Sequence, residues 1–263
     1  ISLDKENQTL TVESGIKYGE FCEYLDQNGF ALHNLASLPH ISVAGACSTS
    51  THGSGINNGS LATAAVALEM VNGKGELVTL TKEKNREEFL MAIVSLGALG
   101  IITKVTLNLL PTFKMKQVVY QNMPMAALEK DFEKIMASGY SVSLFTDWKN
   151  KNVSEVWIKV KSNEVKEFAP EFYGAKLATK NLHPIESADP VNCTDQMGVD
   201  GTWYERMPHF KMGFTPSSGK ELQAEYFVNI KDAYQAFMAV EKLNEKVAPL
   251  LFITEIRSIA ADD

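Results

Sequence analysis

The chain has 263 residues, of which 45% are hydrophobic and 22% charged, with a formal net charge of −7. That is the size of one large domain or two ordinary ones and the balance of a soluble globular protein. The negative charge argues against nucleic acid or an anionic membrane as the main partner, and no apolar run approaches the roughly 20 residues that cross a bilayer.

Residues 1–4 and 9–12 flank the polar turn Lys5-Glu-Asn-Gln8 and predict a hairpin. Residues 17–27 carry Tyr18, Phe21, Cys22 and Leu25 at helical spacing and close on Asn28-Gly29. Residues 34–55 then hold few bulky side chains, many hydroxyls and three glycines, a run too long for an ordinary turn. Small residues let a backbone approach a flat or charged ligand closely, and hydroxyls beside N–H groups suit a phosphate or a polar ring edge. The run reads as a cofactor cradle. A polar surface loop is the plain alternative, and composition alone leaves the two balanced. It lacks both the Walker pattern and Gly-x-Gly-x-x-Gly, which disfavours a nucleoside triphosphate site and an ordinary Rossmann site.

A short helix is expected at 61–64 and a second hairpin at 66–71 and 77–80, around Asn72-Gly-Lys-Gly75. A helix at 86–95 leads to a β-branched strand at 101–109. Pro111-Thr-Phe-Lys marks a boundary. Beyond it the pattern predicts strands at 116–120, 141–147 and 156–160 and a helix at 126–137. Residues 162–220 are irregular, and so long a run implies short strands within it. A strand at 223–230, an amphipathic helix at 231–247 and a strand at 250–259 complete the chain. The expectation is two α+β units, 1–112 and 113–263, without the alternation of a doubly wound fold.

Glu255 and Arg257 stand one residue apart on the last predicted strand and so share a face, together with Leu251 and Ile253. An ion pair at a sheet edge is the plain reading. The chemical one is a carboxylate that accepts hydrogen bonds from vicinal hydroxyls beside a guanidinium that favours developing negative charge. His52 reads as a backbone-bonded or cofactor-side histidine. His33, His40, His183 and His209 lack metal-ligand spacing and read as structural, so no metal is expected. Trp203 and Tyr204 read as packing or as a sugar-stacking wall. Cys22, Cys47 and Cys193 form no Cys-x-x-Cys pair, and no leader pattern opens the chain, which together predict a cytoplasmic protein without a disulfide framework.

Ala36-Ser-Leu-Pro-His-Ile-Ser-Val-Ala-Gly45 with Thr51-His-Gly-Ser-Gly55 resembles the FAD-binding domain of the bacterial alditol (xylitol) oxidases, in the vanillyl-alcohol oxidase superfamily. Ser95-Leu-Gly-Ala-Leu-Gly-Ile-Ile-Thr103 resembles a second segment of that domain. Ser141-Val-Ser-Leu-Phe-Thr-Asp-Trp148, Val191-Asn-Cys-Thr194, Phe214-Thr-Pro-Ser-Ser-Gly219 and Glu255-Ile-Arg257 resemble the family's substrate cap. The resemblance implies an α+β fold in two parts. Residues 1–112 would be an FAD-binding domain lacking its N-terminal subdomain, and 113–263 a cap with an antiparallel sheet, flanking helices and its C-terminal part missing. It implies that Ser37, Ser42, Gly45, Ala46, Cys47, Thr49, His52, Gly53 and Ile102 line FAD. Ser37, Glu255 and Arg257 would act on the substrate. The implied reaction turns the terminal hydroxyl of a polyol such as xylitol or sorbitol into an aldose and reduces oxygen to hydrogen peroxide. An aldonolactone oxidase of the same superfamily, or an inactive fragment or binding module, is the alternative. The family's covalent FAD-binding histidine would lie upstream of Ile1, and a further His and Lys of its substrate site past Asp263, so the chain reads as the central part of such a protein.

Overall fold

The structure is a computed structural model that describes residues 1–165, 167–214 and 222–262. β1 (Ser2–Asp4) and β2 (Thr9–Glu13) form the first hairpin, across a turn in which the Asp4 carboxylate accepts from the N–H groups of Glu6 and Asn7. α1 (Tyr18–Gln27) buries Tyr18, Phe21, Cys22 and Leu25. Glu20 reaches back to the Lys17 N–H at 2.7 Å, and Gly29, at φ +86°, lets the chain turn away. β3 (Phe30–Ala31) follows, then α2 (Val43–Ser48), β4 (Ala65–Asn72), β5 (Leu77–Thr81), α3 (Arg86–Ile93), β6 (Gly100–Asn108) and β7 (Leu110–Pro111), which pairs with β3.

The first sheet is antiparallel in the order β1-β2-β6-β4-β5. Its register sets Leu10 opposite Leu107 and Val12 opposite Val105, so the period of two delivers four buried side chains to one face. That face packs against Phe21, Leu25, Val43 and Cys47 of α1 and α2.

The second half contains β8 (Lys114–Pro124), α4 (Leu128–Met136), β9 (Ser141–Thr146), β10 (Asn152–Lys161), β11 (Glu171–Phe172), β12 (Ala175–Leu177), β13 (Gly201–Thr202), α5 (Trp203–Arg206), α6 (Ala233–Glu241), α7 (Asn244–Val247) and β14 (Thr254–Arg257). Its sheet runs β11-β12-β8-β10-β9-β14, with β13 also on β8, and every pairing is antiparallel. Leu128, Phe132, Ile135 and Met136 of α4 cover Val142, Leu144, Val156 and Ile158, and Phe237 of α6 meets Phe132 edge-on at 5.2 Å. Val119, Phe145, Trp157 and Cys193 form a separate cluster. The expected α+β class with an antiparallel sheet and flanking helices is what the chain adopts.

Four local expectations need correction. Residues 34–55 are not a continuous loop, because α2 lies within them. Alanine favours helix, and two N–H groups of its first turn are satisfied from outside, Val43 by Ile16 O and Ala44 by Ser14 O. Residues 223–230 pair with no strand among the described residues and are exposed at Tyr226, Phe227 and Val228. β-branched and aromatic composition makes a strand only where a neighbour supplies the ladder. The helix expected over 231–247 breaks at Leu243 into α6 and α7, and the Asn244 side chain takes the Glu245 N–H. The last strand is shorter than expected, because Pro249 sits in a 3-10 turn over Ala248–Leu250. Leu251 consequently packs with the α6 side, and only Ile253 joins the Phe145 cluster.

Glu155 is buried and accepts from Trp157 Nε1 at 2.6 Å. Burial pushes its carboxyl up to about 7; the Trp157 N–H opposes the shift and Glu186 adds to it. A carboxyl raised on folding costs stability as pH climbs above its unfolded value, and the cost is complete above about 7. Glu155→Gln keeps the acceptor and removes the charge. Denaturant unfolding is expected to show a gain of roughly 1–3 kcal/mol at pH 8 and none at pH 4.

Candidate active site

Three distant segments meet at the end of β14. Gly55 N–H donates to Ser258 O at 2.9 Å, Ala260 N–H donates to Asn58 O at 2.9 Å, and Gly55 bridges Ile259 in parallel. The 54–58 loop is also tied to the start of β9, with Ser54 Oγ donating to Val142 O and Asn58 Nδ2 to Tyr140 O. Tyr140 Oη in turn donates to His33 O. Gly53 lies so close to Leu35 O and Asn34 Oδ1 that any Cβ there would collide. Segments 34–37, 52–58 and 254–260 therefore form one wall.

Charged groups converge on that wall. Arg257 Nη1 donates to His52 O at 3.2 Å and Nη2 to Glu225 Oε1 at 2.8 Å. The same carboxylate oxygen lies 2.9 Å from His52 Nε2, while His52 Nδ1 lies 2.8 Å from Gly53 O. Arg257 Nε is 3.8 Å from Glu255 Oε2. Glu255 Oε1 is 2.9 Å from His209 Nε2, and the backbone N–H groups of His209 and Phe210 both donate to Ser37 O. Burial works to raise the Glu255 carboxyl, but Arg257 and then His209 outweigh it and hold it at about 2. Glu255 is thus an anion whose partners are already in place.

The structure brings Ser37, His52, Gly53, Glu255 and Arg257 together through these bonds. Ser42, Gly45 and Thr49 fall on the accessible side of α2, with Gly45 and Thr49 exposed. Ala46 and Cys47 point into the core, Cys47 lying 3.7 Å from Tyr18 Oη, so their side chains face protein. Ile102 is buried on β6 beside Met70 of β4. Trp203 is fully buried in the first core, with Tyr204 packed against it. Thr215 to Gly219 of the cap motif lie outside the described residues. On this side stand the Ser42 hydroxyl, which takes the space a Cβ at Gly45 would fill, and the Thr49 hydroxyl, which bonds Gly45 O and Thr51; small and hydroxyl-bearing residues of this kind suit phosphates that seek N–H and O–H donors. On the chemistry of that donor set, the residues present fit FAD.

Sequence reasoning missed three members. His209 was expected to be merely structural, yet it is bonded to Glu255. Glu225 stood in a presumed strand, yet it bridges His52 and Arg257. Lys159 carried one signal, a cation inside the apolar run Val156-Trp-Ile-Lys-Val160, and it is fully buried beside His209.

Residues 1–81 match the family described as FAD binding domain. With an FAD-binding match over those residues, the chain is similar to the vanillyl-alcohol oxidase superfamily of FAD-dependent oxidases. Within it, the chain is 43% identical over 261 residues to the alditol oxidase of Streptomyces sp. (strain IKD472 / FERM P-14339), which covers 99% of this chain and 61% of that protein. It spans less than two thirds of that relative. It is also 44% identical to the D-arabinono-1,4-lactone oxidase of Kluyveromyces lactis, over 41% of this chain and 20% of that protein. A variant of the cholesterol oxidase of Brevibacterium sterolicum shares the fold, with a TM-score of 0.53 and 20% identity over 60% of this chain and 32% of that one. No helix among the described residues is long and apolar enough to cross a membrane.

Gly55 has φ +138°, and a Cβ there would fall 2.5 Å from Tyr140 O and against the Asn58 amide. Gly55→Ala is expected to lower stability by roughly 2 kcal/mol or more, read as a drop in Tm.

Proposed function

We propose that the protein to which this chain belongs is an FAD-dependent oxidase of alditols. It would convert the terminal hydroxyl of a polyol such as xylitol or sorbitol to the aldehyde of an aldose, with oxygen as the acceptor and hydrogen peroxide as the product. The observation that carries this reading is the Glu255–Arg257 pair, held 3.8 Å apart at the wall formed with Ser37 and His52. In this reading residues 1–112 belong to the FAD-binding part and 113–263 to the substrate cap, in a cytoplasmic bacterial enzyme.

FAD, when bound, supplies a two-electron acceptor for the carbinol carbon. Ser42, Gly45 and Thr49 would hold it along α2, with the backbone at Ala46 and Cys47, and with His52, Gly53 and Ile102 as further contacts. Glu255 remains ionised at any physiological pH and accepts hydrogen bonds from substrate hydroxyls through the lone pairs that His209 leaves free. Arg257 is fixed by His52 O and Glu225 and presents a set positive charge to oxygen that gains negative character as its proton departs. Ser37, anchored by its carbonyl to the His209 and Phe210 amides, orders the substrate from the opposite side.

The lactone-oxidase reading is less well supported. The lactone oxidase similarities span between 40% and 64% of the chain, whereas the alditol oxidase similarity spans 99% and includes the Glu255–Arg257 strand. Steady-state assays of the full-length protein on xylitol, sorbitol and gulonolactone decide between them: peroxide release with the polyols is expected, and turnover of the lactone alone refutes the alditol assignment. Bleaching of the flavin absorption band by polyol without oxygen is expected as well, and its absence would favour a binding module. Arg257→Met is expected to lower kcat by about 100-fold or more, the usual loss when a charge-stabilising donor is removed.

A further inference from the structure

Lys159 lies in the middle of β10 and is 1% exposed. An ammonium group has three hydrogens to donate, and Nζ finds three acceptors: Met207 O, Pro208 O at 3.0 Å and His209 Nδ1 at 3.1 Å. Donation to Nδ1 fixes the ring of His209. A neutral imidazole carries one proton, so when Nδ1 accepts, Nε2 must hold it, and Nε2 points at Glu255 Oε1 from 2.9 Å. The ring cannot swing away, because Phe145 and Trp157 pack edge-on to it at 5.6 and 5.0 Å between centroids. Ser143 Oγ closes the remaining side at 3.5 Å.

We propose that Lys159 and His209 are positioning residues for Glu255: the buried ammonium selects the imidazole tautomer that pins one carboxylate oxygen and leaves the other to receive the substrate hydroxyls. The inference rests on the role proposed above for Glu255. A carboxylate held at one oxygen cannot rotate its charge toward Arg257 alone, so its free lone pairs keep one direction. The groups facing the relay are Glu255 and Arg257 from β14, Cys193, which bridges Phe210, and the neutral Ser143 from β9. Burial, and then Lys159, hold the His209 imidazole down at about 4, so the ring is neutral in the working range. Burial likewise brings Lys159 down to about 7, against the pull of Glu255. When Lys159 loses its proton, Nδ1 can carry the ring hydrogen and Glu255 loses the His209 donor. Affinity for polyol should therefore fall as pH rises through about 7.

The test uses the full-length enzyme. His209→Leu and Lys159→Met are each expected to raise KM for xylitol about 10-fold or more, with a smaller change in kcat, as befits loss of a hydrogen bond to a charged group. His209→Gln, whose amide can accept from Lys159 and donate to Glu255, is expected to restore KM to within a few-fold. Lys159→Met is further expected to abolish the rise of KM through neutral pH. Equal impairment in His209→Gln and His209→Leu, or an unchanged KM and pH profile in Lys159→Met, overturns the proposal. Nitrogen-15 NMR of His209 in the unaltered protein at pH 6 needs neither activity nor variant: an Nε2–H tautomer is expected, and an Nδ1–H tautomer refutes the relay. If the enzyme oxidises no polyol while the Nε2–H tautomer is seen, the functional reading fails and the tautomer assignment stands.

Discussion

The structure depends on the hydrogen bonds that tie the end of β14 to the 52–58 loop. Arg257 reaches His52 O, Gly55 reaches Ser258 O and Ala260 reaches Asn58 O. Without them Glu255 and Arg257 would be an ordinary ion pair at the edge of the second sheet, of the kind that contributes little. With them, residues that the sequence places far apart become one polar wall. The same bonds explain the glycines at 53 and 55, because the segments approach too closely for any side chain there.

The charges at the wall are arranged in layers. Glu225 is about half exposed and faces Arg257 and His52, while Glu255 lies deeper, between Arg257 and His209. A guanidinium between two carboxylates is held from both sides, and its fork geometry makes the direction as well as the charge definite. Behind Glu255 the surroundings turn apolar, through Phe145 and Trp157. Polar contacts in such surroundings are stronger than they would be in water, and a missing partner is correspondingly costly.

Much of this fold was legible in the sequence. Both hairpins were marked by polar or glycine-bearing turns, and α1 by Tyr18, Phe21, Cys22 and Leu25 at helical spacing. The strand of Glu255 and Arg257 was recognisable because alternation places them together. What the sequence did not reveal depended on partners. α2 hid among small residues because its first amides are satisfied by Ser14 and Ile16, which no local pattern announces. Gln223 to Ile230 has the composition of a strand, and composition cannot say whether a neighbouring ladder exists. His209 looked idle because its importance lies in meeting Lys159, about 50 residues upstream, and Glu255, about 46 downstream. Lys159 was the one readable clue, a cation where the strand pattern asked for an apolar residue.

The bond from Arg257 to His52 spans 205 positions of the chain. A ribosome makes His52 205 residues before Arg257, so the nascent polypeptide carries its loop unpartnered over that stretch of synthesis. Closing so wide a circuit is entropically slow, and the strand edge awaiting it is open to wrong neighbours in the meantime. Assembly of the wall thus waits until the segment that carries Arg257 has been made, and chaperone protection would matter most in that interval.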